Sequence, residues 1–175
     1  MQKKLFSGIA VLAAAMMVAV VAGTAMAGAS APSGKSNTGH LDLFQKDPVT
    51  WQVVADGAWG KMEYRLSGSV FNAVFNGHKL VPGASYTLMY YPDPWPGKGL
   101  ICLGSGVANK GGNVNINAVT PMATDLPAAY DANTTGAKIW LVQSADVDCT
   151  APVMIGWNPT QYLFEGDLIN FDYLP

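Results

Sequence analysis

The stretch Lys61-Met62-Glu63-Tyr64-Arg65-Leu66-Ser67-Gly68-Ser69-Val70-Phe71-Asn72-Ala73-Val74-Phe75 decides the fold class. Met62, Tyr64 and Leu66 alternate with Lys61, Glu63 and Arg65, so apolar and charged side chains fall on opposite faces of an extended chain. After the Ser67-Gly68 turn, Phe71, Ala73 and Phe75 keep the same period of two. A helix would need a period of 3.6, and nothing downstream of the N-terminal segment shows one convincingly.

Outward from this pair, the same reading yields further strands. Tyr86 to Tyr91 is a β-prone run, and Leu100 to Leu103 is short and apolar. Asn113, Asn115 and Asn117 alternate with Val114 and Ile116, the cleanest alternation in the chain. Ile139 to Val142 and Tyr162 to Phe171 supply two more strands. Between the runs lie Gly, Pro, Asn and Asp clusters that favour tight turns. The expectation is a single all-β domain over residues 46–175, an antiparallel Greek-key, immunoglobulin-like β-sandwich of about seven or eight strands.

The N-terminus has a different character. Lys3 and Lys4 precede an unbroken apolar run from Ile9 to Ala22, followed by Ala25-Met26-Ala27. A positive start, an apolar middle and a small-x-small end are the parts of a secretory signal peptide, here residues 1–27. The run is shorter than the roughly 20 apolar residues that span a bilayer. Cleavage after Ala27 removes two of the ten basic residues and none of the twelve acidic ones, taking the net charge from −2 to −4. An acidic domain without Lys/Arg clusters lacks what phosphate binding requires, so nucleic acid is not an expected partner. Residues 28–45 begin with small and polar side chains and read as a flexible N-terminal segment.

Cys102 and Cys149 are the two cysteines. In an oxidising compartment an isolated pair forms a disulfide, and free or metal-bound thiols are the alternative. The localisation expected from these features is secreted or periplasmic, on the exterior of the cell envelope.

Leu80-Val81-Pro82-Gly83-Ala84-Ser85-Tyr86 resembles the tyrosine corner of immunoglobulin-like and fibronectin type III domains, which implies that the Tyr86 hydroxyl bonds back to upstream backbone. A wider set comprises Asp56-Gly57-Ala58-Trp59-Gly60, Tyr91-Pro92-Asp93-Pro94-Trp95-Pro96-Gly97, Leu100-Ile101-Cys102-Leu103-Gly104-Ser105-Gly106, Lys138-Ile139-Trp140-Leu141-Val142 and Gly156-Trp157-Asn158-Pro159-Thr160. This set is similar to an uncharacterised family of secreted prokaryotic proteins. That resemblance implies export and a single domain, and no particular chemistry.

The candidate functional residues fall into four groups. Tyr90, Tyr91, Asp93 and Trp95 belong to an aromatic loop interrupted by prolines, which fix backbone angles and make Trp95 either a stiff stacking platform or a plug over the end of the sandwich. Asn113, Asn115 and Asn117 form an amide stripe, either a hydrogen-bonding surface or a plain soluble face. Asp131 with Asn133, and Asp146 with Asp148, place oxygens two residues apart, as calcium (Ca2+) loops or as Asx turns. Finally, Asp93, Asp125, Asp131, Asp146, Asp148 and Glu165 are carboxylates from which a glycan hydrolase could draw a pair. Ser105 lacks a G-x-S-x-G elbow, so a nucleophilic serine site is not expected. These features lead to an expected non-catalytic module that binds a glycan or an envelope or extracellular protein, with the hydrolase as alternative.

Overall fold

The structure, a computed structural model, describes residues 36–175, so the signal-peptide expectation for residues 1–27 lies outside the described residues. The strands are β1 (Thr38–Phe44), β2 (Trp59–Arg65), β3 (Ser67–Gly68), β4 (Val70–His78), β5 (Ser85–Tyr91), β6 (Ile101–Val107), β7 (Val114–Pro121), β8 (Lys138–Gln143), β9 (Val147–Asp148), β10 (Val153–Met154), β11 (Phe164–Glu165) and β12 (Asp172–Tyr173). Two short 3-10 turns, Ser144–Asp146 and Pro159–Gln161, are the helical elements among the described residues. The domain is all-β.

A five-stranded antiparallel sheet runs in the order β11-β1-β2-β4-β7, and a three-stranded antiparallel sheet runs β6-β5-β8. In the larger sheet the period of two does what the sequence demands. Met62 and Tyr64 of β2, Phe71, Ala73 and Phe75 of β4, and Val114, Ile116 and Ala118 of β7 point inward. They meet Tyr86, Leu88, Tyr90, Leu103, Ile139 and Leu141 of the smaller sheet in one core, the packing of a β-sandwich. Gly104 and Gly106 let β6 approach β7 closely: a Cβ on them would stand 2.8 Å from Ile116 Cγ2 and 2.9 Å from Val114 Cγ2. The Tyr86 hydroxyl accepts a hydrogen bond from the Val81 N–H at 3.2 Å, the backward bond implied by the tyrosine-corner resemblance.

Two expectations about segments need correction. Residues 38–44, placed in the flexible N-terminal segment, form β1 and pair with β2 from Thr38↔Arg65 to Phe44↔Trp59. Leu41 and Leu43 face the core while His40 and Asp42 face out, and that buried pair is enough to fasten the strand. Tyr162 to Phe171 is not one strand. Only Phe164–Glu165 pairs as a strand there, with single bridges at Leu163, Ile169 and Phe171, because Gly166 turns the chain tightly against the Asp42 carbonyl.

β5, the central strand of the smaller sheet, is buried on both faces, as are the middle residues of β8. Six of the seven residues of β5 are buried, Tyr86, Leu88 and Tyr90 on the main core and Met89 and Tyr91 on the opposite side. That opposite side is a second apolar cluster, where Met89, Tyr91, Leu100, Trp140 and Val142 pack under Val147, Met154, Tyr162 and Phe164. The covering layer has little regular structure, and it carries the candidate site.

Candidate functional site: an aromatic cleft over the second core

A cleft of about 470 Å³ opens on the covering layer, with Trp51, Tyr91, Trp95, Trp140, Trp157 and Phe164 as its aromatic lining. Asp93, Glu165, Lys46 and Lys138 are its charged groups. Four of the five tryptophans in the chain therefore meet at one place. Trp51, Trp95 and Trp157 are 48%, 52% and 42% exposed, whereas Trp140 is buried as the floor. Trp140 stacks on Tyr91 with ring centroids 3.9 Å apart, and Trp157 packs edge-on against Trp95 at 5.4 Å and Tyr162 at 5.6 Å.

Each rim residue is fixed by its own segment. Trp95 stands between Pro94 and Pro96, and its loop is tied down by bonds from Gly97 N–H to the Pro94 carbonyl and from Met154 N–H to the Pro96 carbonyl, both 2.9 Å. Trp51 sits at φ +58°, a left-handed conformation costly for a bulky side chain. The preceding turn holds it there: Asp47 Oδ1 accepts from the N–H groups of Val49 and Thr50, and the Asp47 carbonyl accepts from Trp51 N–H at 2.8 Å. The bonds from the Thr50 N–H, the Thr50 hydroxyl and the Val49 N–H also hold the Asp47 carboxyl below the usual range. Trp157 rides on residues 155–158, where the Ile155 and Gly156 N–H groups donate to the Asp146 carbonyl.

Two of the charged groups compensate each other directly, and the other two take polar partners. Lys138 Nζ contacts Asp93 Oδ2 in an ion pair. Trp140 Nε1–H donates to the Glu165 carboxylate, and Lys46 Nζ donates to the Glu165 main-chain carbonyl at 2.8 Å. Burial pushes the Glu165 carboxyl above its ordinary value, outweighing the pull of Lys46, Trp140 and Lys138 toward the ionised form. Burial also raises the Tyr91 hydroxyl to about 12, so it stays protonated throughout the ordinary range.

Of the residues expected in the aromatic surface, Asp93, Trp95 and Tyr91 belong to the cleft, Tyr91 as its buried base. Tyr90 does not belong. Neighbouring residues on a strand face opposite ways, so Tyr90 turns into the main core and is 0% exposed. Its hydroxyl donates to Asp131 Oδ2 at 2.6 Å and accepts from Ala128 N–H at 3.0 Å. Asn115 and Asn117 lie on the exposed face of β7, on the larger sheet, with Asn113 just before that strand. Asn115 Nδ2 donates to Asn76 Oδ1 at 2.8 Å, and Asn113 Oδ1 lies 2.9 Å from His78 Nδ1. The stripe is separate from the cleft.

The four calcium-loop candidates use their oxygens on protein donors. Asp131 Oδ1 accepts from the N–H groups of Asp93 and Asn133, and Asn133 Oδ1 accepts from Thr135. Asp146 takes Tyr162 Oη–H at 2.6 Å and Asn158 Nδ2 on both oxygens. Asp148 caps Thr150 and Ala151 N–H, which holds its carboxyl below the usual range. Buried Asp131 and Asp146 are thus fasteners that fix the Asp93 and Trp157 loops. Among the described residues no group of three or more His, Cys, Asp or Glu side chains is placed to hold a metal ion.

Cys102 and Cys149 form a disulfide with Cα atoms 5.9 Å apart. It fastens the covering layer to β6, close to the Gly99 N–H bond to the Pro152 carbonyl at 3.1 Å. Trp51, Trp140, Trp157, Lys46 and Lys138 were not among the expected site residues. The signal that could have found the tryptophans is their excess in so short a chain, and nothing local in the sequence marks the two lysines. Comparison with known protein families, curated proteins and solved structures finds no match to this chain.

Proposed function

We propose that the protein is an exported, non-catalytic β-sandwich whose aromatic cleft binds a neutral glycan outside the cytoplasm. The observation that carries this reading is the pairing of three half-exposed tryptophans with a charge-compensated polar set. Aromatic faces of this kind stack on the C–H faces of sugar rings. Lys46 and Lys138 oppose a cation, and Asp93 and Glu165 oppose an anion. Together they offer donors and acceptors to hydroxyl groups without selecting a charge. Export rests on the N-terminal sequence and is compatible with the disulfide. The connectivity is read as Greek-key and immunoglobulin-like, and the chain as a member of the secreted family it resembles.

Affinity electrophoresis and calorimetry against neutral polysaccharides test the reading. Trp95 is half exposed and packs edge-on against Trp157 outside the main core, so Trp95→Ala is expected to remove an anchor worth about 2 kcal/mol, roughly a 30-fold loss of affinity, without unfolding the domain. Equal binding by wild type and variant to every retained glycan sinks the proposal.

A second reading, glycan hydrolysis, is favoured by one observation: Glu165, with its carboxyl raised by burial, shares the cleft with Asp93. Reducing-end release from a bound polysaccharide, abolished by Glu165→Gln with binding retained, would establish it over simple binding.

A further inference from the structure

We propose that the ligand is a chain of several sugar units that crosses Trp95 and fills a second subsite built around Tyr130. The proposal rests on the glycan reading of the aromatic cleft and extends it to the length of the ligand. On the far side of Trp95 lies a separate hollow of about 590 Å³, lined by Asp93, Pro94, Trp95, Pro96, Lys98, Gly99 and Tyr130. Asp93 and Trp95 line both hollows, so the two adjoin across these residues.

Three features make this hollow a continuation of the site. The first is a second aromatic platform. Tyr130 is 55% exposed, and its hydroxyl donates to the Gly99 carbonyl at 2.7 Å, which fixes the ring without burying it. The close approach uses a glycine at φ +81°, where a Cβ would stand 2.9 Å from Tyr130 Cε2. The second is the stiffness of the divider. Trp95 is held by two prolines, by the bond from Met154 N–H to the Pro96 carbonyl, and by the bond from Ala132 N–H to the Asp93 carbonyl at 3.2 Å. The backbone under Trp95 is thus fixed, and a ligand that spans both hollows passes over the indole. The third is the exposure of Trp95. A single ring in either hollow covers one side of the indole, whereas a chain passing over it covers both. Lys98 is exposed on the far side and offers ammonium donors to hydroxyl groups there.

The probes are β-1,4-linked glucose and N-acetylglucosamine oligomers, titrated calorimetrically into the purified protein from disaccharide to about hexasaccharide. Affinity is expected to rise about tenfold or more over that range, as separate subsites add within one molecule. Tyr130→Ala is expected to remove that gain and to leave disaccharide binding unchanged. Tyr130→Leu, which keeps apolar bulk without the aromatic face, serves if the alanine variant fails to fold. Length-independent binding by wild type overturns the second subsite and leaves the glycan reading intact. So does a Tyr130 variant that binds long oligomers as well as wild type, or one that weakens short and long oligomers alike. Failure of every oligomer to bind overturns the glycan reading and this extension together.

Discussion

Replacing Asp146 with alanine tests how the covering layer is held. The Asp146 side chain is buried, and two donors converge on it: Tyr162 Oη–H at 2.6 Å, and Asn158 Nδ2, which reaches both carboxylate oxygens at 3.0 and 2.9 Å. A hydrogen bond to a charged group contributes about 1.5–3 kcal/mol, so losing two such donors costs about 3–6 kcal/mol. Small domains hold about 5–15 kcal/mol in total, so the variant should be near the edge of stability. The main-chain bonds from Ile155 and Gly156 to the Asp146 carbonyl survive the substitution, which confines the loss to the side chain. Urea unfolding followed by tryptophan fluorescence reads the effect, since Trp157 packs directly on Tyr162. Asp146→Asn keeps the shape and one good acceptor, and should fall between wild type and alanine. A change below about 1 kcal/mol for Asp146→Ala would refute the account of Asp146 as the fastener of the Trp157 loop.

Further expectations follow from the disulfide and from Glu165. Cys102 and Cys149 are separated by 47 residues, for which the chain-entropy model gives about 4 kcal/mol. The Cys102→Ala, Cys149→Ala double variant should lose up to that amount in urea unfolding, and a loss below about 1 kcal/mol would show that the bridge hardly constrains the unfolded chain. The folded Glu165 carboxyl is raised above its unfolded value, so the folded state holds its proton more tightly. Its effect on stability is absent below the unfolded pKa and grows unfavourable as pH rises through the folded one. Glu165→Gln keeps an acceptor for Trp140 Nε1–H and should raise the melting temperature at neutral pH, with the difference vanishing in acid. An equal shift at both pH values would refute burial as the cause.

How much of this the sequence shows depends on which faces of each strand are wet. β2, β4 and β7 have one buried and one exposed face, and their alternation is plain in Lys61–Arg65, Phe71–Phe75 and Asn113–Asn117. β5 is buried on both faces, so it reads only as an apolar run, and nothing local says that Tyr90 and Tyr91 serve different cores. β1 carries the same alternation in His40-Leu41-Asp42-Leu43, but the small polar residues before it masked the start of the fold. Asp131 and Asp146 have the spacing of cation ligands. Only the tertiary structure brings Tyr90 and Tyr162 to them as donors.

The cleft was legible at one wall. Prolines on both sides of Trp95 announce a fixed aromatic because proline acts locally, through its own φ angle. Trp51, Trp140 and Trp157 arrive from three other segments, and what joins them is a set of long-range fasteners. These are the Cys102–Cys149 bridge, the Tyr162–Asp146–Asn158 cluster, the Asp131 bonds to Tyr90 and Asp93, and the Met154–Pro96 backbone bond. A layer with so little regular structure would not hold half-exposed tryptophans in place by sheet pairing alone. The fasteners supply that order before any ligand arrives, and a rim already ordered loses less entropy on binding. The buried aspartates, which touch no ligand in this reading, are therefore as much a part of the proposed binding site as the tryptophans they position.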